Sequence, residues 1–159
     1  MQTSAGDLAP ARVARLPSWL LTQTAAHAHR LIGERLAAVD ARGHHYRLLA
    51  TLVEHGPASQ ADLGRRTGIH FSDVVTALNE LAARGLIDRS PDPADRRRNV
   101  ITITPAGRDR LRVLDRTVAR VQEELLAPLS PEERDQLVRL LSRLLAHHAG
   151  RAGGGPAAG

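Results

Sequence analysis

The chain has 159 residues, about one domain's length and enough to bury a core. Its 22 basic residues, all arginine, outnumber 17 acidic ones and leave a net charge of +5. There is no cysteine, which excludes disulfides, thiolate nucleophiles and cysteine redox sensing. Trp19, Tyr46 and Phe71 are the only large aromatics, too few for a platform that stacks single-stranded bases.

No stretch approaches the roughly 18 apolar residues needed to cross a membrane. Residues 1–10 lack a basic segment followed by an apolar one, so no secretion signal is expected and the expected location is the cytoplasm. Residues 1–14 have no periodicity and are expected to be disordered. Residues 150–159 are Gly-rich and are expected to form a flexible tail. A single domain is expected over 15–149.

The first helix is expected from Leu16, with Pro17 in its first turn and Gly43 at its end. Leu20, Leu21, Ala25, Ala28, Leu31, Ile32, Leu36 and Val39 form its apolar stripe. A second helix follows over 44–54, with Leu48, Leu49, Leu52 and Val53 inward, and His55-Gly56-Pro57 stops it. Ser59 with Asp62 resembles a capping box and opens a short helix to Thr67. After the turn at Gly68-Ile69-His70, a helix over 71–84 puts Phe71, Val74, Val75, Leu78, Leu81 and Ala82 on one side, and Gly85 ends it. Two helices around a short glycine turn make a helix-turn-helix.

Leu86 to Arg89 and Asn99 to Ile103 read as two strands around a polar, Pro-bent loop with Arg96, Arg97 and Arg98 near its tip. Together they make a two-stranded wing. Thr104-Pro105 restarts helix as cap and first residue. Leu111, Leu114, Val118, Val121 and Leu125 then form a heptad seam of about two heptads, short of the three or four that argue a coiled coil. Ser130-Pro131-Glu132-Glu133 caps the last helix, lined by Leu137, Leu140, Leu141, Leu144 and Leu145. The fold class is therefore mainly α with a small two-stranded β wing.

The run from Asp92 to Gly107, with Asp95-x-Arg97, a short β run and Thr104-x-x-Gly107, resembles the wing signature of the MarR (multiple-antibiotic-resistance regulator) family. Ala82-Ala83-Arg84-Gly85-Leu86-Ile87 resembles that family's exit from its recognition helix, and the element order is similar from about Leu16 to His148. The resemblance implies a winged helix-turn-helix over about 44–104, flanked by dimerisation helices at about 16–42 and 105–148. It implies a dimeric regulator, most simply a repressor, that covers a pseudo-palindromic operator in duplex DNA. It further implies release by a small aromatic or anionic effector bound between the dimer helices and the winged part.

Residues 59–98 carry seven arginines and six acids, so the charge of the helix-turn-helix is nearly balanced and the cations concentrate at the wing. By resemblance Asp95 braces the loop and Arg97 enters the minor groove, with Arg96 beside it. Arg98 reads equally as a solvated loop residue. On the recognition helix Ser72, Asp73 and Thr76 stand near the end that reads base edges. Asp73 can accept from a cytosine amino group, or simply complement the helix N-terminus. Thr76 stands where the family commonly has arginine, and His70 where it commonly has a small cap. Phe71 is assigned to the core. Ser59 and Gln60 can meet phosphate at the start of their helix. Arg65 and Arg66 can do the same or be solvated.

Trp19, Gln23, His27, His44, Tyr46 and Arg112 are the ligand-site candidates, with His45 beside them. Each also has a plainer reading: Trp19 as a dimer core residue, the histidines as satisfied groups at element ends. The eight histidines lack a metal-site spacing, since His27 and His29 point to different helix faces, so no metal or other cofactor is expected. No phosphate loop, carboxylate pair or nucleophile elbow marks an enzyme. The alternative is a winged-helix protein–protein module without DNA binding, which loss of duplex binding on charge reversal at Arg97 would discriminate.

Overall fold

The computed structural model describes residues 10–152. Its elements are α1 (Ala11–Ala14), α2 (Pro17–Ala37), α3 (Gly43–His55), β1 (Ala58–Ser59), α4 (Gln60–Thr67), α5 (Phe71–Ala83), β2 (Ile87–Pro91), β3 (Asn99–Ile103), α6 (Pro105–Leu125) and α7 (Pro131–Ala152). Within the stretch expected to be disordered, Ala11–Ala14 forms one helical turn, and α7 runs two residues past Gly150. The remainder of those two expectations, residues 1–9 and 153–159, lies outside the described residues. The chain divides after Val121 into two compact units.

The core of the first unit forms where α3, α4, α5 and β3 face one another. Leu48, Leu49 and Leu52 come from α3, Leu63 from α4, Leu78 and Leu81 from α5, all essentially without solvent contact. β3 alternates, sending Ile101 and Ile103 inward. Leu111 and Leu114, expected in a seam between subunits, instead close this core within one chain. In the second unit α7 has a complete capping box. The Ser130 Oγ accepts the Glu133 N–H at 3.2 Å, and the Ser130 N–H donates to Glu133 Oε2 at 2.8 Å.

Two further expectations change. The sheet has three strands, order β1-β3-β2, all antiparallel, rather than two. Ser59 caps α4 and also pairs with Val100; a strand of two residues is too short to show alternation in sequence. The break after α2 is made at Asp40, whose φ of 56° is left-handed, while Gly43 opens α3. Aspartate tolerates this conformation better than most residues.

The Thr104-x-x-Gly107 motif has a mechanical basis. The Thr104 hydroxyl donates to the Gly85 carbonyl at 2.7 Å and accepts the Gly107 N–H at 3.0 Å, and the Thr104 N–H donates to the Leu86 carbonyl at 3.1 Å. One side chain thereby caps α6 and fastens it to the exit of α5. Helix α6 comes so close that a Cβ on Gly107 would run into the Leu86 carbonyl oxygen and approach Ile103 Cγ1 to 2.7 Å. Replacing Gly107 by alanine should therefore cost on the order of 1–3 kcal/mol. Urea unfolding at one fixed protein concentration checks this; an unchanged midpoint would mean the approach is looser than described.

Candidate nucleic-acid interface

Helix α5 buries Val74, Ala77, Leu78 and Leu81 along one side. At 100° per residue, Ser72, Thr76, Asn79 and Ala83 fall on the opposite side, and all four are exposed. The Thr76 hydroxyl donates back to the Ser72 carbonyl at 3.0 Å, which leaves its lone pairs outward. His70 caps α5 through its backbone only, and its Nδ1 lies 3.0 Å from the Ser72 hydroxyl. Asn79 Oδ1 accepts from Arg89 of β2 at 2.7 Å, which ties the helix to the sheet.

The loop between β2 and β3 is braced from within. The Asp95 carboxylate accepts the Arg97 N–H at 3.0 Å, and its backbone carbonyl accepts the Arg98 N–H at 2.9 Å. Asp92 closes the base by donating its N–H to the Arg98 carbonyl at 2.8 Å. Arg98 also reaches Asp95 at 4.0 Å. The Arg96 and Arg97 side chains are exposed and make no ion pair among the described residues.

Helices α4 and α5 and the sheet converge on one open groove of about 500 Å³. Ser59 and Gln60 line it from the start of α4, Asn79 from α5, Arg89 and Asn99 from the strands, and Arg98 from the loop between them. The Ser59 hydroxyl is engaged on both counts: it accepts the Asp62 N–H at 3.2 Å and donates to the Asp62 carboxylate at 2.7 Å. That bond, reinforced by Arg65, holds the Asp62 carboxyl below its ordinary range. Phe71 also lines the groove and is 64% exposed, so its assignment to the core is wrong. It lies at the edge of the apolar sector and is the first residue of α5, where no preceding turn covers it.

Helix α5 is also anchored from behind. Glu80 accepts from Arg42 at 2.8 Å on one oxygen and meets His45 Nε2 at 2.6 Å on the other. His45 is only 3% exposed, and its Nδ1 accepts the Arg42 backbone N–H at 3.2 Å. A nitrogen that accepts carries no proton, so Nε2 carries it and donates to Glu80. Burial lowers the His45 pKa; Glu80 opposes that shift, while Arg84 and Arg42 reinforce it.

On the α2 side lies a second cavity of about 540 Å³. Among the ligand candidates, His44 and Tyr46 line it; Trp19, Gln23, His27 and Arg112 do not. The His27 Nδ1 instead accepts from Arg30 at 2.7 Å, and Arg112 pairs with Asp109. His29, Arg42 and Arg47 line the cavity without having been singled out for it. The i, i+3, i+7 spacing of His29, Ile32 and Leu36 was the available signal. Tyr46 donates to Asp115 at 3.1 Å, and burial together with that bond raises its pKa. Asp73 lines this cavity from α5, on the flank away from the groove.

The sequence model of the MarR family matches residues 40–98. A putative transcriptional regulatory protein for the hcr operon of Thauera aromatica is 34% identical over 99 residues, 62% of this chain and 60% of that protein. The uncharacterized HTH-type transcriptional regulator YdgJ of Bacillus subtilis is 30% identical over 117 residues, 73% of this chain and 71% of the relative. The chain thus spans three fifths to seven tenths of these relatives' lengths. Among solved structures, Bordetella bronchiseptica BpsR, described with the mechanism by which 6-hydroxynicotinic acid regulates its DNA binding, superposes with a TM-score of 0.74. It is 25% identical, covering 86% of this chain and 97% of that one.

Stability should carry the mark of His45. The unfolded chain takes up a proton at the ordinary value of 6.5, whereas buried His45 resists it to lower pH. Its contribution is therefore fully present above pH 6.5 and is lost as pH falls through the depressed folded value. Urea midpoints measured from about pH 8 to about pH 5 should fall more steeply for the wild type than for His45→Gln. Parallel profiles would mean that His45 does not titrate with unfolding.

Proposed function

The chain belongs to the MarR family of transcription regulators, and we propose that it is a cytoplasmic, dimeric, sequence-specific duplex DNA-binding repressor whose grip is released by a small aromatic or anionic effector. One observation carries the DNA reading: the start of α4, the flank of α5 that bears Phe71, Val75 and Asn79, and the arginine-bearing sheet meet at a single groove, beside the row of Ser72 and Thr76. In this reading Ser72 and Thr76 reach base edges in the major groove. Gln60 meets phosphate at the start of α4, which the engaged Ser59 hydroxyl caps. Arg97 enters the flanking minor groove with Arg96 beside it, on a loop that Asp95 stiffens. His70 positions Ser72, and Asp73 complements the helix N-terminus. Neither exposed wing arginine is committed to a protein carboxylate, which favours this reading over a protein-binding module.

The dimer reading rests on exposed apolar rows. Leu16, Leu20 and Leu21 at the start of α2, and Leu140, Leu141, Leu144 and Leu145 on α7, are exposed in the single chain. A second copy covering them would set two α5 helices at half-sites about one helical turn apart. No helix among the described residues is long and apolar enough to cross a membrane, so these rows are not read as spans.

The effector reading rests on the second cavity. His29, His44, Arg42 and Arg47 offer donors to an anion, and Tyr46, Ile32 and Leu36 offer apolar wall. An aromatic acid suits that lining, and BpsR is regulated by one. Because Asp73 of α5 lines the same cavity, an occupant touches the recognition helix directly. It releases DNA only insofar as it binds the unbound geometry more tightly.

Selection of genomic duplexes across a salt series tests the function. A recovered palindrome with a steep salt slope supports it; no enrichment even at low salt overturns it. On the recovered site, Arg97→Ala should weaken binding and reduce the slope of log affinity against log salt by about one per subunit. An unchanged slope and affinity would remove the wing from the interface.

A further inference from the structure

Phe71 is the sole phenylalanine of the chain and stands as the first residue of α5 with 64% of its surface exposed. The core closes without it: Val74, Leu78 and Leu81 are buried while the ring stays outside. Its surroundings differ from those of the other exposed apolar side chains. The leucines of α2 and α7 sit in apolar rows, whereas Phe71 shares its groove with Arg89, Arg98 and the Arg65–Asp62 ion pair. Half-buried Val75, one turn on, continues the apolar strip toward Asn79. The strip runs beside the polar row of Ser72 and Thr76.

An apolar ring flanked by Arg89 and Arg98, beside hydrogen-bonding side chains, fits a surface that carries phosphate, polar edges and one apolar feature. In the major groove that feature is the C5-methyl group of thymine. We propose that Phe71 is a specificity-determining residue that packs against a thymine C5-methyl group in each half-site, with Val75 as its support. The proposal rests on the duplex-binding reading above. Ser72 and Thr76, which can each donate or accept, leave base choice loosely defined. A methyl contact beside them narrows it, because cytosine, adenine and guanine offer no such group.

The test uses the full-length protein and the tightest duplex recovered in the genomic selection. Each thymine is replaced in turn by uracil, which keeps every hydrogen-bonding group and removes only the methyl. At one position in each half-site the wild type should lose about fourfold in affinity, the value of one buried methyl-sized group. Phe71→Ala, which removes the contact from both subunits of the dimer, should lose the square of that factor, roughly sixteenfold, on the unmodified duplex and then be indifferent to uracil there. The wild-type scan alone overturns the proposal if uracil is neutral at every position, whatever the variant does. The proposal also fails if Phe71→Ala remains as sensitive to uracil as the wild type. It fails too if the variant weakens unrelated duplexes by the same factor, because the ring then packs on backbone. If no duplex is selected at all, the duplex-binding reading falls first, a result distinct from a recovered operator that ignores its methyl groups.

Discussion

The placement of α5 depends on one corner, residues 39–45, where the chain leaves α2 and enters α3. A helix end exposes carbonyls that the helix itself cannot satisfy. Here the Val39 carbonyl accepts from Arg110 of α6, and the Asp40 carbonyl accepts from Arg110 at 3.2 Å and from Arg84, beyond α5, at 2.6 Å. Asp40 presents that carbonyl because its backbone is left-handed. Arg84 also pairs with the Asp40 carboxylate at 3.2 Å. A few residues on, Arg42 and His45 hold Glu80. The second half of α5 is therefore clamped by charge-assisted hydrogen bonds, which are stronger and more directional than neutral ones. Its first half, with Phe71, Ser72 and Thr76, stays free to meet a partner.

The same corner places the two cavities on opposite flanks of α5. Asn79 and Phe71 face the groove beside the sheet, and Asp73 faces the cavity beside α2. A rigid helix with one flank in each site can transmit a small displacement without any relay of side chains. Arg42 belongs both to the clamp on Glu80 and to the lining of the α2-side cavity. An anion drawing on Arg42 would compete with Glu80 for the same guanidinium. His45, buried and neutral, would keep Glu80 in place as Arg42 shifts.

Periodicity misplaces Phe71 and does not reveal the partners of Glu80. A 100° step puts Phe71 at the margin of the apolar sector, and being first in its helix decides its exposure. The same step puts Glu80 on the polar side, yet two partners from residues 42–45 reach it across 35 or more residues of sequence. Of the ligand candidates read from the sequence, His44 and Tyr46 at the start of α3 are the two that line the cavity. Arg47 was passed over because its position beside the cavity follows from how α3 packs, which spacing does not encode.

What the sequence by itself determined is local: caps at Ser59, Thr104 and Ser130, the stop at Gly85, the alternation of β3, and the wing motif that carries the family resemblance. Each rests on chemistry within a few residues, such as a hydroxyl reaching a nearby N–H or a left-handed φ of 68° at Gly85. Only the tertiary structure decided the third strand, the burial of Leu111 and Leu114 within one chain, the His45–Glu80 pair and the exposure of Phe71. Those depend on which surfaces meet after the chain turns, and a turn as small as Asp40 redirects every element that follows it.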